Sequence, residues 1–334
     1  MIEEGQASVT RAREVWICRP FAGAHGRCAR SAPNDDTHPP MRLSAATPAR
    51  IADIGAEIDQ ARRGGPLQRL VIPACPTLLT RLRAALAQGE PDLSEVARIA
   101  SSDVAMAAAL IQTANAPAHA VGPPTRTVGQ AMNRLGLQQT AATMTAFLAR
   151  RSIRADSPHL RRFWERSSRR AAAMVFIARR LPGLSPDLAH TVGLFLHVGQ
   201  PVLLQSMLGY GGTLAEAAAR TDRSFVATEN ANHRTDHAVV GALVARVWRL
   251  APEVMAAVRL HHDLAGLVAC GTEPEVATLV AASLVAEQLM RQHEGLPSDE
   301  DWARHAAVAC DWLQVGPDEL LDWQDEIAPT LDAA

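Results

Sequence analysis

Phe163-Trp-Glu-Arg-Ser-Ser-Arg-Arg-Ala-Ala-Ala-Met-Val-Phe-Ile-Ala-Arg-Arg-Leu181 is the stretch on which the fold class turns. Phe163, Ser167, Ala171, Met174, Ala178 and Leu181 recur at intervals of three and four residues, which places them on one face of a helix of about six turns. The same period repeats in both directions from it. Upstream, Ile51, Ile54, Ile58 and Ala61 follow a 3-4-3 spacing, with Thr47 as a cap, Pro48 in the first turn and Gly64-Gly65-Pro66 as the stop. Leu78, Leu82 and Ala85 form another stripe, and Ala107, Leu110, Ile111 and Ala114 a third. Downstream, Leu243, Val247, Val254 and Val258 continue the pattern across Ala251-Pro252. Asp92-x-x-Glu95 and Thr127-x-x-Gln130 read as capping boxes, where each terminal residue supplies an acceptor for an orphan backbone N–H. Only Leu70-Val71-Ile72 has strand character, and it is too short to found a sheet. The expected fold class is all-α.

The composition fits a globular protein of this kind. The chain has 334 residues, 48% of them hydrophobic and 20% charged, enough for one large domain or two ordinary ones. Arg179-Arg180, His197 and Glu287 interrupt the longest apolar runs before they reach the ~18 residues of a membrane span. A formal net charge of −2 gives no global attraction to nucleic acid or acidic lipid. Every basic residue is Arg, so neither Schiff-base lysine chemistry nor a phosphate loop ending in Gly-Lys is available. The cysteines, Cys18, Cys28, Cys75, Cys270 and Cys310, contain no Cys-x-x-Cys pair, and Glu3-Glu4 stand where a signal peptide carries basic residues. A reducing, cytoplasmic location is expected.

Four segments are expected along the chain. Residues 1–45 lack periodicity and end in the breaker-rich Ser31–Pro40, which reads as a disordered tail, with Met41 just beyond it as a second candidate start. Residues 46–150 and 151–290 form an N-terminal and a C-terminal helical subdomain, separated by an Arg-rich junction at Arg150, Arg151 and Arg154. Residues 291–334 add a helical extension whose Trp302, Trp312 and Trp323 are expected to anchor it to the core.

Read together, several motifs resemble the HDOD family of bacterial signalling modules, the regulatory relatives of the HD phosphohydrolases. In the N-terminal half these are Ile72-Pro-Ala-Cys-Pro76, Ile99-Ala-Ser-Ser-Asp103, Gln112-Thr-Ala-Asn115-Ala116 and Gln130-Ala131-x-x-x-Leu135-Gly136. In the C-terminal half they are Phe163-Trp164-x-x-Ser167, Gly193-Leu-Phe-Leu-His-Val-Gly199, Asp236-His-Ala-Val-Val-Gly-Ala-Leu243 with Trp248 and Pro252, and His261-His262. The resemblance implies a multi-helix HDOD-like fold with two packed helical subdomains.

In the catalytic relatives, a His, a His-Asp pair and a later Asp hold a divalent metal that activates water. The resemblance places Arg166 at the first of these positions, and a guanidinium has no lone pair to offer a metal. The His-Asp pair becomes Leu196-His197, and Val280-Ala-Ala-Ser283 stands where the later Asp is expected. The remaining candidates for a vestigial cleft are Arg166, His197, His237, His261 and His262. Consecutive residues on a helix point about 100° apart, so His261 and His262 are not expected to face one centre; one is expected inside and the other at the surface. His233 and His237 share a face at i and i+4, a spacing that without the Glu of a His-Glu-x-x-His motif points only weakly to zinc, and Asp236 reads as an N-cap. No catalytic residue, metal or cofactor is expected, and Arg166 is expected to draw an acidic side chain or an anionic ligand into the cleft.

The reading that follows is a non-enzymatic signal-transduction or regulatory module acting in trans on signalling proteins of unknown identity. The alternative is a metal-dependent phosphohydrolase built on His197, His237 and His261. A second alternative is a weak nucleic-acid binder acting through the Arg-rich segment 150–180. Such a run is more often a solvated face, and these arginines have 35 acidic residues to pair with, so neither a nucleic-acid nor a membrane partner is expected.

Overall fold

The computed structural model describes residues 50–119, 122–153, 158–220, 222–264 and 272–333. The expected tail at 1–45, the cap at Thr47 and Arg154 of the junction lie outside them. All regular structure among the described residues is helical. The first elements are α1 (Ile51–Arg63), a 3-10 turn (Gly65–Arg69), α2 (Thr77–Leu86), α3 (Leu93–Ser101), α4 (Val104–Asn115) and α5 (Val128–Ser152). Then come α6 (Pro158–Ala178), α7 (Pro186–Phe195), α8 (Gly199–Ser206), α9 (Tyr210–Ala219) and α10 (Phe225–His233). The chain continues through α11 (His237–Val247), α12 (Pro252–Leu260), α13 (Pro274–His293), α14 (Glu300–Leu313) and α15 (Pro317–Ala333).

Local chemistry sets several of these boundaries. Asp92 Oδ1 accepts from the Glu95 N–H at 3.0 Å, and Thr127 Oγ1 accepts from the Gln130 N–H at 3.2 Å. Gln130 reaches back one residue further than a capping box requires, accepting from the Arg126 N–H at 2.8 Å. In α2 the buried stripe is Leu79, Leu82 and Ala85, so Leu79 rather than Leu78 faces inward. Leu70-Val71-Ile72 forms no strand; it is an extended connection held where the Trp248 indole N–H donates to the Pro73 carbonyl at 2.8 Å.

The core places the site through two glycines that admit close approaches. Of the stripe read from the sequence, α6 buries Ser167, Ala171, Met174 and Ala178, while Phe163 is half-buried and Leu181 lies past the helix end; the helix packs along α7. A Cβ on Gly193 of α7 would lie 2.7 Å from the Ala171 Cα, closer than packed carbon atoms approach. A Cβ on Gly199 would overlap the His237 carbonyl oxygen, which lets α8 lie directly against the start of α11. α14 and α15 then pack on α13, and α15 also on α6. Of the three tryptophans expected to anchor this end, Trp323 is buried and meets Phe176 edge to face, with ring centroids 6.3 Å apart. Trp302 is half-buried, and Trp312 lies at the surface with its indole donating to Thr278 Oγ1.

Candidate functional site

Four imidazoles meet where three helix ends converge. His197 lies in the turn between α7 and α8, and His237 is the first residue of α11. His261 and His262 follow the last residue of α12. The ring centroid of His197 is 5.0 Å from that of His237 and 5.0 Å from that of His261. His237 Nε2 lies 3.2 Å from His261 Nε2 and 3.1 Å from His262 Nε2. One ligand atom from each of the four histidines lies within 4.8 Å of every other.

This corrects two expectations. The 100° separation holds only inside a helix, and α12 stops at Leu260, so His261 and His262 occupy a turn that brings their rings to 4.1 Å. His233 and His237 do not share a helix, because α10 ends at His233 and Arg234 adopts a left-handed conformation with φ 57°. His233 instead pairs with Thr213 Oγ1 at 2.8 Å. Asp236 is the cap that the sequence indicates, accepting from the Val239 N–H at 2.9 Å.

Behind the rings stand acceptors. His237 Nδ1 lies 2.7 Å from Glu229 Oε2, and Glu229 is fully buried, also accepting from the Tyr210 hydroxyl and the His237 N–H. His261 Nδ1 lies 2.7 Å from the Val258 carbonyl oxygen. His262 Nδ1 meets Asp301 Oδ2 of α14. A carbonyl or ionised carboxylate can only accept, so each Nδ1 carries the proton and each Nε2 of a neutral ring is a bare lone pair. Burial, followed by the nearby cationic groups, drives His197 and His261 well below the ordinary histidine range. Burial also opposes charge on His262, but the hydrogen bond and charge of Asp301 outweigh it and raise that group.

Glu229, Tyr210 and Asp301 were not singled out in the sequence. Glu229 precedes His237 by eight residues in a different helix, and Asp301 lies in the C-terminal extension, so no local spacing connects them to the histidines. The chain's single tyrosine, fully buried, was the one available hint.

Arg166 meets acidic side chains, and a different arginine stands nearer the histidines. Arg166 pairs with Glu287 and Glu294, so the acidic occupant expected beside it is the chain's own. The guanidinium whose charge bears on His197 and His261 is that of Arg170, 2% exposed, with its Nε donating to Glu287 at 3.0 Å. Burial works to raise Glu287, but Arg170 and Arg166 outweigh it and hold the carboxyl at about 2. Ser283 adds no carboxylate, and its hydroxyl donates to the Val280 carbonyl at 2.8 Å. Elsewhere in the Arg-rich segment, Arg151 pairs with Asp103, Arg169 with Glu294 and Arg180 with Glu326.

The HDOD domain model matches residues 72–264, more than half of the chain, and its span includes all four histidines. The chain belongs to the HDOD family. Its HDOD fold resembles that of an HDOD domain protein with unknown function from Geobacter sulfurreducens, with a TM-score of 0.65 and 18% identity over 84% of this chain and 98% of that one. A candidate signal-transduction protein from Marinobacter aquaeolei VT8 aligns with a TM-score of 0.67 and 16% identity, over 84% of this chain and 64% of that one. A candidate phosphohydrolase from Shewanella amazonensis SB2B aligns with a TM-score of 0.63 and 17% identity, over 83% and 95%. An uncharacterized protein of Treponema pallidum is 22% identical over 195 residues, and the match spans only 38% of that protein's length. Asp301 and Glu287 lie beyond the segment matched by the HDOD model.

Proposed function

We propose that this HDOD protein is a non-enzymatic regulatory module that works by binding and not by hydrolysis. The observation that carries the reading is the fate of the metal-ligand positions of the HD phosphohydrolases. The first holds Arg166, a permanent cation engaged by Glu287 and Glu294. The next holds Leu196, buried at 2% exposure in the hydrophobic core. The later carboxylate position holds Ser283, turned back onto its own helix. Among the described residues no carboxylate belongs to the group of converging donor atoms, and Glu229 and Asp301 stand one layer behind it.

The convergence of His197, His237 and His261 favours a second reading, a hydrolase with a rearranged metal site. Hydrolysis needs a ligand position open to water and a base to take its proton. The carboxylates are committed to orienting imidazoles, which favours the regulatory reading. Turnover assays on phosphomonoesters, nucleotides and cyclic dinucleotides, with Mn²⁺, Zn²⁺ or Mg²⁺ added, separate the two. No turnover is expected; metal-dependent turnover abolished by His237→Gln would establish the hydrolase. Affinity capture from the native cell would then identify the signalling proteins on which the module acts in trans.

A further inference from the structure

We infer that the four-histidine cluster binds one divalent late first-row transition ion of the zinc class, through Nε2 of His237, His261 and His262 and a ring nitrogen of His197. This ion would be the ligand of the non-hydrolytic cleft proposed above, and its structural role rests on that reading.

The bare Nε2 lone pair of His237 faces those of His261 and His262 at the separations given above. Lone pairs at that distance repel unless something positive lies between them. One proton can bridge one contact, His262 to His237, and leaves the His237–His261 contact without a donor. A cation satisfies all of them at once. A tetrahedral zinc with bonds of about 2.0–2.1 Å spaces its ligand nitrogens about 3.3 Å apart, close to the two separations of His237 Nε2 from its neighbours, and the other donor atoms lie within 4.8 Å of one another.

The surroundings match a divalent ion in charge and chemistry. Acceptors fix the tautomers of three rings, the arrangement by which outer carboxylates and carbonyls orient metal-binding histidines. Glu229 and Asp301 bring two negative charges behind four neutral imidazoles. Arg170 brings a positive charge near, and Arg166, Arg169 and Arg170 set against Glu287 and Glu294 leave one net positive charge on that side, which the two charges of Glu229 and Asp301 outweigh. An imidazole-only donor set suits zinc, copper or nickel and disfavours magnesium. His237 and His261 are buried, and His197 and His262 are half-buried. The donors come from the α7–α8 turn, the start of α11 and the end of α12, and Asp301 adds α14. Four protein donors make a closed site, the form structural zinc takes.

The experiment uses the full chain without a histidine tag, stripped with chelator and titrated with Zn²⁺ or Co²⁺. We expect one equivalent bound, a higher unfolding temperature and, for Co²⁺, the strong visible absorption of a four-coordinate site, with no competition from excess Mg²⁺. His262→Gln should abolish the Co²⁺ spectrum. Asp301→Asn, which keeps the side-chain shape, should weaken Zn²⁺ binding about 10–100-fold. His293→Gln, outside the cluster, should leave both unchanged. Circular dichroism checks that each variant keeps its helices, and Asp301→Asn carries the test if His262→Gln does not fold. Absence of stoichiometric metal after titration, or binding indifferent to both substitutions, would overturn the inference and leave the regulatory reading standing. Bound metal with phosphoester turnover would overturn the regulatory reading and leave the ion in place.

Discussion

Glu287 enters the core from α13 beside two guanidiniums, one of them 2% exposed. Its carboxyl is held at about 2, against an unfolded value of about 4.3. A group depressed in this way adds stability above its unfolded value, and that contribution disappears as pH falls through the folded value. Glu287→Gln leaves Arg170 buried without its counter-charge, so a loss of about 3 kcal/mol is expected near neutral pH. Urea unfolding across pH should show the gap between wild type and variant narrowing from about pH 5 towards pH 2. A gap independent of pH would mean that packing, not charge, accounts for the loss. Arg166 and its loss of ligand character were legible in the sequence because side-chain chemistry alone decides that a guanidinium cannot ligate. Arg170 as the neighbour of the histidines was not, since four residues along a helix separate the two arginines and only the packing of α6 on α7 and α13 tells which one faces the cluster.

Where a helix stops decides what its last side chains do. The stripes of α1 and α6 and the caps of α3 and α5 were legible because 3.6-residue periodicity and a polar side chain three residues upstream are local facts, whereas α1 begins at Ile51 after Arg50, which makes no side-chain cap. The end of α12 was not, and on it depends whether His261 and His262 diverge or meet. Two glycines of the Gly193–Gly199 motif have a role that the structure supplies, since they admit α6 against α7 and α8 against α11. Gly199→Ala forces a methyl group into the His237 carbonyl, so α8 must move off α11 and carry the His197 turn with it. A destabilisation of about 1–3 kcal/mol or more is expected, the range for overpacking a well-filled core. Gly129→Ala, in α5 with open space around it, should be neutral or stabilising by up to about 1 kcal/mol through helix propensity. Thermal unfolding of the pair checks this, and equal effects would remove the close-approach role assigned to Gly199.

Across the whole molecule, α14 and α15 are tied to the site as well as to the core. Trp323 packs on Phe176 of α6, Arg180 pairs with Glu326, and Asp301 orients His262. The sequence suggested a helical extension held by tryptophans, and the contribution to the site came from Asp301 in the acidic first turn of α14, to which no local spacing pointed. Two changes separate these roles. Trp323→Ala removes a buried aromatic side chain far along the chain from the histidines, and a loss of about 3–5 kcal/mol is expected. Asp301→Asn keeps the packing of α14 and should cost less than half as much, because its carboxylate remains partly exposed. Proton NMR of the imidazole resonances should reverse the order, with Asp301→Asn shifting His262 to a lower titration midpoint and Trp323→Ala, while the protein stays folded, leaving it in place. If both variants moved that midpoint equally, α14 would be positioned by global packing alone and Asp301 would not set the state of the ring.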